Sequence, residues 1–180
     1  ADAGTPQGDE SAVSGGTIRV GLDIEVSSVD PIGNDIGQQS SLLLANAIYE
    51  PLLMDGPRGE LVPVLAESLE SDDLIDWTLS LRPGLTFSDG TALDAAAVIA
   101  HVERAQNSES AVAQSAQEIV EMTEVDETTV EMTLAEANAT FPRYFARNLG
   151  MIGSTTATDP EGTPLGAGPY RLVSLSSGSS

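Results

Sequence analysis

The chain opens on a stretch with no usable hydrophobic pattern: Ala1 to Gly16 reads ADAGTPQGDESAVSGG, small, acidic and rich in Gly and Ser. Such a segment cannot bury apolar surface, so residues 1–16 are expected to form a flexible leader. Alternation begins at Thr17, where the β-branched Thr17, Ile18 and Val20 predict a strand over 17–22. Ser27 to Pro31 then supplies turn chemistry, with Pro31 holding Asp30 extended. The run SSLLLANAIY from Ser40 to Tyr49 predicts a short helix, with Ser40 or Ser41 placed to cap it. Two apolar pieces, 52–54 and 61–64, flank the turn cluster Asp55, Gly56, Pro57, Arg58 and Gly59 and predict a hairpin.

The clearest period of two is DWTLSL at 76–81, which puts Trp77, Leu79 and Leu81 on one face before Pro83 and Gly84 stop it. Ser88 to Thr91, SDGT, is a second turn. From Asp94 the period becomes helical: Val98, His101, Val102 and Ala105 fall at i, i+3, i+4 and i+7, with Asp94 as N-cap. A further helix is expected from about Ala111. Residues 119–123 and 129–134 alternate across the acidic turn at Asp126 and Glu127 and predict a second hairpin. A short helix over 142–149, a loop over 154–168, a last strand over 170–175 and a low-complexity end at 176–180 complete the pattern, which contains no internal repeat.

At 180 residues the chain is long enough for one domain with a real core. Apolar residues make up 41%, yet aromatics only 4%, so Ala, Val, Leu and Ile must supply most of the packing. The charge is lopsided, with 28 acidic residues against 7 basic ones, all of them Arg, for a formal net charge of -21. A phosphate-reading surface needs a basic face, so nucleic acid is excluded as a partner. The acid reads as a solvated surface or, alternatively, as a selector of cationic ligands. No run of about eighteen apolar residues occurs, and the first residues lack the basic and apolar regions of a signal peptide, although a removed export signal would leave no trace.

The chemistry that the residues permit is narrow. Cysteine is absent, so there is no disulfide framework, thiolate nucleophile or Cys-ligated zinc. His101 is the only histidine, which rules out a two-histidine zinc site and a Ser, His, Asp triad. Its place on the apolar side of a helix fits a hydrogen-bonded packing role. Without lysine there is no phosphate loop, and Gly162, Gly166 and Gly168 lack dinucleotide spacing. Asp30 and Asp35 flank Gly33 and Asn34 without the alternation of a calcium loop, and no carboxylate pair stands out for glycoside hydrolysis. The Asn138, Ala139, Thr140 sequon carries weight only in a secreted eukaryotic protein. The residues point to a binding or scaffold protein with no cofactor, no metal and no catalytic residues.

Between Pro63 and Arg104 the chain resembles the peptide, nickel and oligopeptide family of solute-binding proteins, family 5. The resemblance rests on Pro63, the LAES of Leu65 to Ser68, Asp72 and Asp73, Trp77 and Thr78, then Leu81, Arg82, Pro83, Gly84, Phe87, Asp89, Gly90 and Thr91, and Glu103 with Arg104. TIRVG at 17–21, Val29 to Pro31, YEPL at 49–52 and GAGPYRL at 166–172 extend it in family order. Most of these residues have local structural jobs, so the motif identifies a fold without marking a site.

The resemblance implies an α/β fold of the type II periplasmic-binding-protein kind: a partial first lobe, of mixed sheet with helices, plus an accessory subdomain. Residues 17–47 and 165–180 would belong to the partial lobe and 48–164 to the subdomain, with the second lobe lying beyond residue 180. It implies solute binding, peptide-like by preference, for an ABC importer permease, with the ligand held between lobes that close at a hinge. The location implied is the outer face of the cytoplasmic membrane or the periplasm, lipid-anchored in the full protein. By the same resemblance the ligand would run past Asp35, Ile36, Gly37 and Gln38 through strand-like main-chain hydrogen bonds, with Asp35 as an acidic contact. The alternative for these four is an exposed loop capping the following helix. A sensory or protein-interaction module of the same fold is the alternative function. The 180 residues alone are expected to dimerise, exchange strands or be marginally stable, because the lobe's sheet lacks its returning strands.

Overall fold

The computed structural model of the protein describes residues 16–17, 19–22, 26, 28–33, 39–158 and 162–175. In chain order the elements are α1 (Gln39–Ile48), β1 (Leu53–Asp55), β2 (Leu61–Pro63), β3 (Ala66–Glu70), β4 (Asp76–Leu81), α2 (Ala95–Gln106), α3 (Ala111–Ala116), β5 (Ile119–Asp126) and β6 (Thr129–Leu134). Two 3-10 turns follow at Phe141–Ala146 and Asn148–Gly150. β1 and β2 form an antiparallel hairpin, and the larger sheet is antiparallel in the order β3-β4-β6-β5.

The larger sheet follows from its alternation. Trp77, Leu79 and Leu81 of β4 are buried, and register sets Trp77 opposite Met132 and Leu79 opposite Val130 of β6, whose Val130, Met132 and Leu134 are buried too. Onto this face packs α2, through Ala95, Val98, Val102 and Ala105, and the ring group Trp77, Phe141 and Phe145 fills the remainder. Phe141 lies 5.5 Å from Trp77 and meets Phe145 edge-on at 5.4 Å, an arrangement favoured by the ring quadrupoles. The edge strand β5 carries Glu121, Glu124 and Asp126 beside its exposed Val120 and Val125, which discourages pairing with another chain. The N-terminus of α2 is held twice: the Asp94 carboxylate accepts from Ala97 N at 2.9 Å, and Ala95 N–H donates to Glu127 O in the β5–β6 turn. Asp94→Ala is expected to lower unfolding free energy by about 1 kcal/mol in urea titration with no change of slope.

A second, smaller cluster joins Val26, Val29, Ala45, Ile48, Tyr49 and Met151, with Leu172 packed against it. Segment 164–170 straps this cluster to the end of α1. Gly168 N–H donates to Ile48 O at 2.8 Å and Tyr170 N–H to Ala47 O at 3.0 Å, supplying donors to carbonyls that a helix end leaves open. Ser88 N–H donates to Gly166 O at 3.0 Å, so the SDGT turn is tied to the same strap.

Several expectations are corrected. Neither 17–22 nor 170–175 forms a strand among the described residues, because no neighbouring strand takes their backbone groups and Tyr170 spends its N–H on α1. Helix α1 has begun by Gln39, so the buried Ser40 and Ser41 lie inside its first turn and neither is the cap. In place of one helix over 142–149, two 3-10 turns are interrupted by Arg147, whose φ of -125° and ψ of -159° are extended. β5 also runs on to Asp126, and β3 is a strand not anticipated from its pattern.

Candidate functional site

Within the motif region, most side chains do structural work. Asp89 accepts from Thr91 N at 3.0 Å and from Thr91 Oγ1 at 2.7 Å, and these bonds hold its carboxyl below the ordinary range. Gly90 turns the chain at φ 89° and Gly84 at φ 75°, where a side chain would be strained. Arg82 Nε donates to Val64 O at 2.6 Å, stitching the approach to β3 onto the end of β4. Arg143 and Arg147 both pair with Asp55, at 2.8 and 2.7 Å, and pin the β1–β2 hairpin to the 3-10 turns.

The residues with electrostatic consequence meet elsewhere. The turn 28–33 is built by Asp30: its N–H donates to Ser28 Oγ at 3.2 Å, its Oδ1 accepts from Ile32 N at 3.1 Å, and its carbonyl accepts from Gly33 N at 2.9 Å. Its carboxylate also receives both terminal nitrogens of Arg104, each at 2.9 Å, across 74 residues of sequence. Burial alone would raise the Asp30 carboxyl, but the Arg104 fork and charge, helped by Ile32 N–H, hold it below the usual carboxylate range. Arg104 is brought there by the last turn of α2, whose opposite side is locked into the larger core.

One turn earlier on α2, His101 is fully buried, and Gly153 N–H donates to its Nδ1 at 3.1 Å, which leaves the ring proton on Nε2. Burial pushes its pKa down to about 3, with the positive Arg104 acting in the same direction and Asp30 opposing. His101 is a neutral packing residue that ties α2 to the Gly153 segment. Beside it, Tyr49 Oη donates to Pro164 O, joining the end of α1 to the strap.

Asp35, Ile36, Gly37 and Gln38 lie outside the described residues. Their flanks are fixed: Gly33 by the Asp30 turn on one side, α1 from Gln39 on the other. The structure thus joins Asp30 to Arg104, a pairing that no local pattern marks, although both residues stand within the family motifs. Among the described residues there is no group of three or more acidic or histidine side chains arranged for a metal ion. The two broad depressions there, one lined by Gln114, Gln117, Glu118 and Asn138 and the other by Glu70, Asp72, Asp73 and Asp76, are open and remote in sequence from the 28–33 turn. No helix among the described residues is long and apolar enough to cross a membrane.

Comparison with known proteins gives a consistent picture. Residues 60–180 match the family described as bacterial extracellular solute-binding proteins, family 5 Middle. The glutathione-binding protein GsiB of Pectobacterium atrosepticum is 32% identical over 155 residues, covering 82% of this chain and 30% of that protein. Among solved structures, AgaA of A. tumefaciens R10, in complex with agropinic acid, superposes with a TM-score of 0.74 at 30% identity, covering 86% of this chain and 32% of AgaA. The nickel ABC transporter structure from Bacillus halodurans superposes at 0.72 with 31% identity, covering 85% of this chain and 31% of its own. The chain therefore spans roughly a third of the length of the proteins it matches.

Proposed function

This chain belongs to the bacterial extracellular solute-binding proteins of family 5, and we propose that the polypeptide carrying it captures a small solute outside the cytoplasm and delivers it to an ABC importer. The observation that carries the reading is the family match over 60–180, joined by identity near one third across more than four fifths of the chain. The favoured ligand is a short peptide or a peptide-like solute; the P. atrosepticum relative is named for glutathione, which is one. The role is binding, and no reaction is assigned.

In this reading residues 17–47 and 165–180 are part of the first lobe, and 48–164 form a subdomain beside it. The packing follows that division in part: Val26, Val29 and Ala45 lie in the small cluster and Trp77 with α2 in the larger core, while Tyr49 and Met151 join the small cluster and Ile32 and Leu165 the larger one. Asp35, Ile36, Gly37 and Gln38 form a wall of the ligand cleft, offering main-chain hydrogen bonds to an extended solute, with Asp35 as the acidic contact for a ligand amine. The fixed flanks at Gly33 and Gln39 favour this assignment. The large acidic excess fits the same preference for an amine-bearing ligand.

The test is titration calorimetry and thermal unfolding of the complete polypeptide in which this sequence occurs, with trialanine, reduced glutathione and a nickel–histidine complex as probes. A peptide probe is expected to bind, and at a hundredfold excess over Kd to stabilise the protein by about 2.7 kcal/mol. Absence of both binding heat and a raised Tm with every one of these probes at millimolar concentration would remove the reading.

A further inference from the structure

The depression beside α3 holds a carboxylate that is oriented but not neutralised. It has a volume of about 470 Å³ and lies between Gln114, Gln117 and Glu118 on one side and Ala135, Ala137 and Asn138 on the other. Ala135 N–H donates to Glu118 O at 2.9 Å, which ties the two sides together. Both oxygens of the Glu118 side chain are held: Tyr144 Oη donates to Oε1 and Asn138 Nδ2 to Oε2, each at 2.7 Å. The holders are themselves fixed. Asn138 Oδ1 accepts from Thr140 N at 2.8 Å and from Thr140 Oγ1 at 2.7 Å, and the Tyr144 ring stands edge-on to the buried Phe141 at 6.1 Å. The bond to Glu118, with burial acting in the same direction, raises the pKa of the Tyr144 phenol above its ordinary value, so the phenol stays a donor.

Both of these donors are neutral. Among the described residues Arg58, Arg104, Arg143 and Arg147 form ion pairs, and none of them pairs with Glu118 or with Glu136 across the depression. An ionised carboxylate offers about four acceptor positions, and Glu118 has two of them filled. The rest of the lining adds acceptors: Gln117 donates Nε2 to Gln106 O at 3.0 Å, which leaves its Oε1 to accept, and Glu136 brings a second negative charge. A fitting ligand therefore donates hydrogen bonds and carries positive charge.

The filled positions narrow the class further. A hard divalent cation takes several oxygens free of competing donors, whereas each Glu118 oxygen already carries one. A guanidinium fork needs an open position on both oxygens in one plane, while an ammonium needs a single N–H on a single oxygen. Ala135 and Ala137 supply the short apolar surface on which methylene groups can lie.

We propose that this depression is a binding site for a small alkylammonium ion, whose N–H groups donate to the open acceptor positions of Glu118 while its methylenes lie on Ala135 and Ala137. The proposal does not depend on the assignment of Asp35 to Gln38 as a ligand wall.

The complete polypeptide is titrated by calorimetry with cadaverine, a five-carbon diamine, and with tetramethylammonium, a cation without N–H groups. Because a formal net charge of -21 attracts cations everywhere, Glu118→Gln is compared with Glu70→Gln, which removes a charge from the other open depression. Expected is a Kd for cadaverine on the order of 1 mM, in keeping with one or two charge-assisted hydrogen bonds. Glu118→Gln should weaken it at least tenfold, Glu70→Gln should leave it within twofold, and tetramethylammonium should give no heat. Ala137→Lys, which tethers an ammonium at an exposed position beside Glu118, should also abolish cadaverine binding, and it decides alone if Glu118→Gln does not fold. Unchanged affinity in Glu118→Gln or in Ala137→Lys would overturn the proposal. So would equal losses in Glu118→Gln and Glu70→Gln, tetramethylammonium binding as tightly as cadaverine, or a wild type that takes up no cadaverine.

Discussion

Gly166→Ala is expected to lower the unfolding free energy by about 3 kcal/mol, the summed net worth of three hydrogen bonds at about 1 kcal/mol each. A Cβ at this position would lie 2.2 Å from the Ile48 carbonyl oxygen and 2.6 Å from the Tyr49 ring, and the first of these is backbone that cannot swing aside. The strap would have to lift from the end of α1. Lifting it strains or breaks the bonds from Ser88 N to Gly166 O, Gly168 N to Ile48 O and Tyr170 N to Ala47 O. Gly168 is also tightly placed, its Cβ position 2.6 Å from Ile48 O, so the two glycines of GAGPY serve one close approach of backbone to backbone. Gly21→Ala is the matched control: a Cβ there meets nothing within 4 Å, and stability should stay within about 0.5 kcal/mol. Urea titration of both variants checks the pair, and equal midpoints would show that the strap yields freely.

The pH dependence of stability should be dominated, between pH 6.5 and 4, by His101. In the unfolded chain its ring titrates near the ordinary 6.5, whereas in the fold its pKa is pushed down to about 3. Above pH 6.5 both states are neutral, and the ring contributes no slope. Below it the unfolded state takes up a proton that the folded state refuses, so stability falls as pH falls, by up to about 1.4 kcal/mol per pH unit, and levels off only below the folded value. Asp30 enters later. Its folded pKa lies below 3.8, so its contribution is complete above that value and is lost as pH falls through the lower folded one. His101→Leu would leave the Gly153 N–H buried without an acceptor, at a cost of about 1–3 kcal/mol at pH 7. The same variant should lose the decline between pH 6.5 and 4, so that its stability approaches that of the wild type as the solution is acidified. A constant gap between the two proteins across this range would refute the assignment.

How much was legible in the sequence depended on how local the cause was. DWTLSL and the α2 face were legible because a sheet or a helix imposes its own period on the residues that meet the core. AESLE in β3 hid its strand because a register shift between Ala66 and Ser68 breaks the alternation that would have revealed it. The segments 17–22 and 170–175 have strand-like composition, yet a ladder requires a partner and composition does not supply one. The pairing of Asp30 with Arg104 was illegible for a related reason: no period spans 74 residues, and only the shared presence of an Asp-Pro and a Glu-Arg in the family motifs hinted that both mattered. The GAGPY motif was legible as a resemblance, but its reason, the carbonyl of Ile48 lying where a side chain would go, belongs to the packed structure alone.

The chain departs from the small cluster at Tyr49 and comes back to it at Met151, and just inside these points Leu52 N–H donates to Gly150 O at 2.9 Å. The hundred or so residues between carry both sheets and the helices α2 and α3; their two ends lie side by side, and they also meet the rest of the chain where Arg104 pairs with Asp30 and Ser88 N–H donates to Gly166 O. Chain ends that lie side by side are the condition under which an insertion is tolerated. Loops and hairpins of this stretch that lie away from those ties are therefore free to lengthen, shorten or drift in composition over evolutionary time with little effect on the rest of the chain, provided that the closure at Leu52 and Gly150 and the ties at Arg104 and Ser88 hold.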